Sequence, residues 1–201
     1  MALGAHCDDI EIGAGGTLLS LAAAHPGMRV RAIVLTSTPD RAAETRAALP
    51  QFVPDAELDL TIHELPDGRL PQHWGAVKDI LESVRRDTDP DLILAPSPTD
   101  AHQDHRLLGE LVTTAFRDHL VLGYEILKWD GDVGRPGFYS PLSADRLARK
   151  IELLQKYYPS QHGRSWFDEE SFRALARLRG VECHSPYAEA FSCRKAVFGI
   201  G

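Results

Sequence analysis

The 201-residue sequence is short of several things, and each shortage removes a class of function. No apolar run approaches the roughly 20 residues that a bilayer span needs. No basic segment followed by an apolar one opens the chain, so no signal peptide is read. Basic residues are outnumbered, 22 Lys and Arg against 29 Asp and Glu, and no basic cluster offsets the net charge of -7. That balance argues against a nucleic-acid-binding face. Cysteine is scarce. Cys7, Cys183 and Cys193 form no paired spacing, and an odd count fits a reducing, cytoplasmic setting better than a disulfide framework. Repeats, low-complexity tracts and long linkers are missing too, so residues 1–201 read as a single domain.

What is present is ordinary globular material, 43% hydrophobic and 25% charged. Apolar alternation and β-branched residues predict strands at "ALGAH", "RVRAIVLTS", "LDLTIHEL", "DLILAPS" and "HLVLGYEIL". Between them lie helical patterns: "GGTLLSLAAAH" before Pro26-Gly27, "RAAETRAAL" ended by Pro50, "GAVKDILESVRRD" and "HRLLGELVTTAFRDH". This alternation predicts an α/β, Rossmann-like, mostly parallel sheet with helices on both faces. The first strand is very short at its N-terminus, which fits either a trimmed strand or a truncated chain. Beyond Trp129, "DGDVGRPGFYSPLS" reads as a covering loop. A helix over "SADRLARKIELLQKYY", a second over "DEESFRALARLRG" ending at Gly180, and a closing strand "AEAFSCRKAVF" complete the chain.

Two stretches put His and Asp at the carboxyl ends of predicted parallel strands, where open α/β sheets bind their ligands. One is "AHCDD" after the first strand; the other is "SPTDAHQDHR", Ser97 to Arg106, after the fourth. His6, Asp9 and one of His102 or His105 would supply two imidazoles and a carboxylate. That is a catalytic zinc set with an open position for water. Asp8 would then be the spare carboxylate that accepts a proton from the attacking water. Asp100 or Asp104 could fix an imidazole tautomer. The competing reading makes Asp8 and Asp9 a helix cap, and His102 and His105 surface or capping residues. Two such clusters at equivalent strand ends weigh against coincidence. "GAGG" lacks dinucleotide-binding spacing, so its glycines read as allowing close helix-strand approach. His25, His63, His73, His119, His162 and His184 have no comparable neighbours and read as structural.

With these residues in view, the chain resembles the PIG-L/LmbE family of zinc-dependent N-deacetylases. The family's A-H-P-D-D-E motif stands here as Ala5-His6-Cys7-Asp8-Asp9-Ile10-Glu11, with Cys7 in place of proline and the glutamate one residue later. Its H-x-D-H motif is His102-Gln103-Asp104-His105. Weaker matches are Arg41 with Glu44, "PDG" at 66–68, Lys150 with "YYPSQ", and "AEAF" at 188–191. The resemblance implies Zn2+ held by His6, Asp9 and His105, with Asp8 as general base. It also implies His102 as oxyanion stabiliser, Asp104 as the residue that orients a histidine, and Arg41 and Asp67 as holders of substrate hydroxyls. A surface i,i+3 pair for Arg41 and Glu44, and plain turn chemistry for Asp67, are the alternatives. Tyr139, Tyr158, Trp129 and Trp166 could line a pocket or sit in the core. The implied activity is removal of an N-acetyl group from a small amino-sugar conjugate, with no nucleic acid or membrane partner; family members are often homo-oligomers. Rival readings are hydrolysis of another N-acyl or carbamoyl group, a different divalent metal, or a nonenzymatic sugar- or nucleotide-binding domain.

Overall fold

The computed structural model of the protein describes residues 1–197. Its strands are β1 (Ala2–Gly4), β2 (Arg29–Thr36), β3 (Glu57–Leu65), β4 (Ile93–Pro96), β5 (Val121–Tyr124), β6 (Phe138–Leu142) and β7 (Tyr187–Ser192). They form one sheet in the order β3-β2-β1-β4-β5-β7-β6. The first five are parallel, and β7 runs antiparallel to both β5 and β6. The helices are α1 (Asp9–Ala24), α2 (Pro39–Phe52), α3 (Trp74–Asp87), α4 (Gln103–Ala115), α5 (Ala144–Tyr157) and α6 (Glu169–Glu182). None of them is long and apolar enough to cross a membrane.

Alternation along the strands separates two apolar layers. Ala2, Val30, Ala32, Val34 and Leu94 pack with residues of α1, α2, α5 and α6. Leu3, Ile33, Leu35 and Ile93 pack on the other face with α3 and α4. The expected doubly covered parallel sheet is therefore present. Strand β1 lies between β2 and β4, and the helices that follow β1 and β4 go to opposite faces. The loops leaving β1 and β4 thus diverge at a topological switch point, which opens a crevice between them.

Several element boundaries differ from the sequence reading. Helix α1 starts at Asp9, six residues before the expected glycine pair, and residues 9–19 are all buried. A helix surrounded by core has no amphipathic stripe, so periodicity could not locate its start. Helix α2 continues to Phe52, with Pro50 in its last turn, where the ring forfeits only one ladder bond. Helix α6 passes through Gly180 to Glu182. Within the expected covering loop, residues 138–142 form β6, an edge strand where Pro141 is tolerated. Phe198, the end of the expected closing strand, lies outside the described residues, and β7 itself stops at Ser192.

The glycine run in α1 does what its spacing suggests. A Cβ on Gly13 would stand 2.2 Å from the Tyr124 ring, and one on Gly15 would stand 2.6 Å from Phe52. Tyr124 then donates its hydroxyl to the Leu3 carbonyl at 2.7 Å. The same stretch admits two charged side chains into the helix ladder. Glu189 accepts from Gly16 N at 2.7 Å, Thr17 N at 2.7 Å and Thr17 Oγ1 at 2.6 Å. Lys150 donates to the Ile12 carbonyl at 2.6 Å and to Glu189 at 2.7 Å. The Ile12 carbonyl and the Gly16 N–H, ordinary partners in a helix, are each also reached by a buried side chain.

Candidate metal centre

Strand β1 ends at Gly4, and His6, Asp8 and Asp9 follow within one turn. Asp8 has φ of 97°, a left-handed conformation rarely taken by a residue with a side chain. It occupies the helix cap position yet makes no side-chain cap bond. Asp9 turns back, accepting the His6 backbone N–H at 2.8 Å. The capping explanation of this acidic pair is therefore not what the side chains do. Across the crevice, the loop after β4 runs into α4, which His102 caps through its ring, Nδ1 accepting from Asp104 N at 3.2 Å.

The two stretches converge. His6 Nδ1 lies 3.0 Å from His105 Nε2, His105 Nε2 lies 3.2 Å from Asp9 Oδ1, and His6 Nδ1 lies 3.5 Å from Asp9 Oδ2. A tetrahedral ion with ligands about 2.0–2.1 Å away separates neighbouring ligand atoms by about 3.3–3.4 Å. The observed spacings bracket that value, so this donor set fits a small divalent cation. Two other groupings share His6: His6, His102 and His105, and His6, Asp67 and Asp104, each with ligand atoms within 4.8 Å of one another. The second reflects His6 Nε2, which has Asp67 at 3.0 Å and Asp104 at 3.2 Å.

Charge explains why a cation suits the place. Burial would raise Asp9, but the charges of His105 and His6 outweigh it and hold its carboxyl well below the usual range. Burial would lower both imidazoles; instead Asp9, helped by Asp104 and Asp67, lifts His6, and Asp9 with Asp100 lifts His105 to about 9. The carboxylates thus draw positive charge into a buried pocket. Asp8 behaves differently: burial pushes its carboxyl up to about 7 despite Arg41, whose Nη2 lies 2.8 Å from Asp8 Oδ1. His102 is pulled down by burial and then by the neighbouring His105 and His6, which favours a neutral ring.

Surrounding side chains fix these rings. Asp100 holds His105 Nδ1 at 3.1 Å, while Asp104 reaches His6 and accepts from Gly68 N at 2.7 Å and Leu70 N at 3.0 Å. Of the two candidates for orienting an imidazole, each takes one histidine. Asp67 stands exposed at the rim with one oxygen on His6. Arg41 and Glu44 do not pair: Arg41 also donates to the Cys7 carbonyl, and Glu44 accepts from Ser160 N and Oγ. Tyr158 is fully buried and donates to Glu11 at 2.5 Å, a core role. Tyr139 bonds Glu182 and the Pro136 carbonyl, while Trp129 is exposed and edge-on to Trp166. The sequence reading missed Lys128, which sits 2.9 Å from Asp100 and 2.6 Å from Asp132. It lies between the end of the fifth expected strand at Leu127 and Trp129, and nothing in its spacing links it to residue 100.

No curated protein matches this sequence. Among solved structures, N,N'-diacetylchitobiose deacetylase from Pyrococcus horikoshii is 19% identical, with 96% of this chain and 82% of that one covered, at a TM-score of 0.71. A teicoplanin deacetylase in its zinc-inhibited form is 17% identical, covers 96% of each chain and gives a TM-score of 0.76. The 4-carboxy-2-hydroxymuconate hydratase from Pseudomonas putida KT2440 is 16% identical, with 100% and 97% covered and a TM-score of 0.73. At these identities the likeness is one of fold. The sequence match is narrower and more telling: it spans residues 1–116, both loops of the crevice included, and on it the chain belongs to the PIG-L family, described as GlcNAc-PI de-N-acetylase.

Proposed function

We propose that the chain is a zinc-dependent N-deacetylase of amino-sugar conjugates, releasing acetate and a free amine. The observation that carries this is the convergence of His6 Nδ1 and His105 Nε2 on the Asp9 carboxylate, the former nearest Oδ2 and the latter nearest Oδ1, with a buried Asp8 beside them. His6, Asp9 and His105 would hold the ion, which when bound lowers the pKa of a water to about 7 and polarises an amide carbonyl.

The remaining work falls to this chain's own groups. Asp8 takes a proton from the attacking water, and Arg41 keeps its carboxylate aimed. Because His102 Nδ1 accepts the Asp104 N–H, a neutral ring carries its proton on Nε2. That N–H donates to the oxygen that gains charge as the acetyl carbon becomes tetrahedral, a contact worth about 3–4 kcal/mol. Asp8 then returns its proton to the nitrogen, and the amine leaves. Asp67, through its outward oxygen, is available to a sugar hydroxyl, whereas Arg41 Nε is buried without a partner among the described residues, so Arg41 would meet substrate only through the outer part of its guanidinium. Three free cysteines fit a reducing, cytoplasmic setting.

The test is a panel of N-acetylated amino sugars and their conjugates, assayed for acetate and primary amine after chelation and after readdition of zinc. Equal release of both products, dependent on metal, is expected. Hydration of an unsaturated acid without amide cleavage would replace this reading with the chemistry of the hydratase neighbour.

A further inference from the structure

The two peptide units that lead into His102 lie in neither helix nor strand, and side chains tie all four of their polar groups. Arg106 Nη1 donates to the Asp100 and Ala101 carbonyls, each at 2.9 Å. Asp100 Oδ1 accepts the His102 N–H at 2.7 Å, and Asp132 Oδ2 accepts the Ala101 N–H at 2.7 Å. Arg106 and Asp100 belong to the same stretch of chain and would travel with it. Asp132 arrives from the loop beyond β5, so of the three it is the one that ties this stretch to another part of the molecule.

Asp132 is itself aimed. The Lys128 ammonium donates to the same Oδ2 at 2.6 Å and lies 2.9 Å from Asp100 Oδ1. One cation thus sits between two carboxylates, and its side chain is only 9% exposed, so solvent ions screen the arrangement little. The far end of the loop is anchored as well. Glu125 accepts from Gly134 N at 3.2 Å, while the buried Arg179 donates to the Gly134 carbonyl at 3.0 Å and pairs with Glu125 at 2.6 Å. Residues 128–134 are held at both ends, which leaves the Asp132 oxygen little freedom to follow a shift of the Ala101 amide.

We infer that Asp132 is a positioning residue for the deacetylation proposed above, on which this inference rests: through the Ala101 N–H it sets where the His102 ring stands. The ring hangs from the residue after Ala101. Its own bond to Asp104 N, at 3.2 Å, fixes its tautomer rather than the path of the chain. A misplacement of about 1 Å in an acting group can cost about 10²-fold in rate. The role calls for an acceptor at one point and not for a charge, because Asp132 uses a single oxygen for both contacts. Asparagine offers such an oxygen at the same distance from the main chain. Glutamate keeps the charge but moves it outward by one methylene.

The experiment compares Asp132→Ala, Asp132→Asn and Asp132→Glu with the parent chain, by turnover and by hydrogen exchange in metal-free protein. For Asp132→Ala, kcat is expected to fall about 10²-fold, while KM and the zinc affinity from chelator competition stay within about threefold. Exchange at the Ala101 amide should quicken by at least about tenfold, as loss of a bond to a charged acceptor implies. Asp132→Asn should recover most of the lost kcat, and Asp132→Glu should not. Unchanged Ala101 exchange in Asp132→Ala overturns the proposal, as does Asp132→Glu outperforming Asp132→Asn. A fall in zinc affinity that matches the fall in kcat overturns it too, since the residue would then act on the metal. The exchange arm needs no substrate. A parent chain that releases no acetate therefore counts against the proposed reaction, whereas quickened exchange in Asp132→Ala would still establish the tether.

Discussion

Helix α1 carries a buried charge cluster at its start and another at its middle, and they are built on opposite rules. In the middle, Glu189 meets two backbone N–H groups, a hydroxyl and the Lys150 ammonium, so its acceptors are matched by donors. One negative charge faces one positive charge, and the pair is closed. At the start, Asp8 and Asp9 face Arg41 and two imidazoles, with Asp67, Asp100 and Asp104 close behind. Here the acids outnumber the permanent cations, and the same acids lift the imidazoles of His6 and His105. A self-sufficient network reads as architecture; one that must borrow charge reads as a receptor for it.

That contrast can be broken by substitution, beginning where the most should be lost. His105→Ala removes a corner of the ligand triangle, and turnover should fall to background together with bound metal, measured by elemental analysis. Asp8→Asn should lower turnover by about 10²–10⁴-fold while the metal stays. Its melting midpoint should hold or rise, since Asn accepts a left-handed backbone better and burial no longer opposes a charge. If Asp8→Asn lost the metal instead, Asp8 would be a ligand and the assigned roles would fail.

Glu189→Ala acts on the other cluster. It strands the Lys150 ammonium and should cost about 3–5 kcal/mol in denaturant unfolding, whereas the paired change Glu189→Leu with Lys150→Met should cost much less. Lys128→Met, two contacts from His105, should weaken metal affinity by about tenfold, the low end for outer partners. The mildest test is of pH in chelated protein. Burial raises Glu11 to about 8, against an ordinary value of 4.5, with the Tyr158 hydroxyl only partly opposing. The folded state therefore holds a proton that the unfolded chain gives up between those values. Stability should fall as pH rises through that window, and Glu11→Gln should flatten the slope.

The sequence announced the site more clearly than the frame around it. The meeting of His6, Asp9, His102 and His105 was legible because His and Asp crowd two short runs and parallel strand ends told where the runs would meet. Strand β1 at three residues and β4 at four fall inside the apolar runs read as strands, and both are shorter than those runs. The start of α1 was hidden because core surrounds it, and β6 because Gly137 and Pro141 look like loop. Lys128, and the pairing of Glu189 with Lys150, were hidden for another reason. Their partners lie 28 residues away at Asp100 and 39 at Lys150. Pairing over such distances leaves no periodic trace in a single chain.

The matched family region ends at residue 116, while Lys150 and Glu189, which bond α1 from the side, lie beyond it. A fragment cut at that point would keep every proposed ligand and lose the buttress beneath the helix that presents two of the acids. The segment beyond residue 116 is thus the keystone of an arch whose proposed ligands all stand in the other stones.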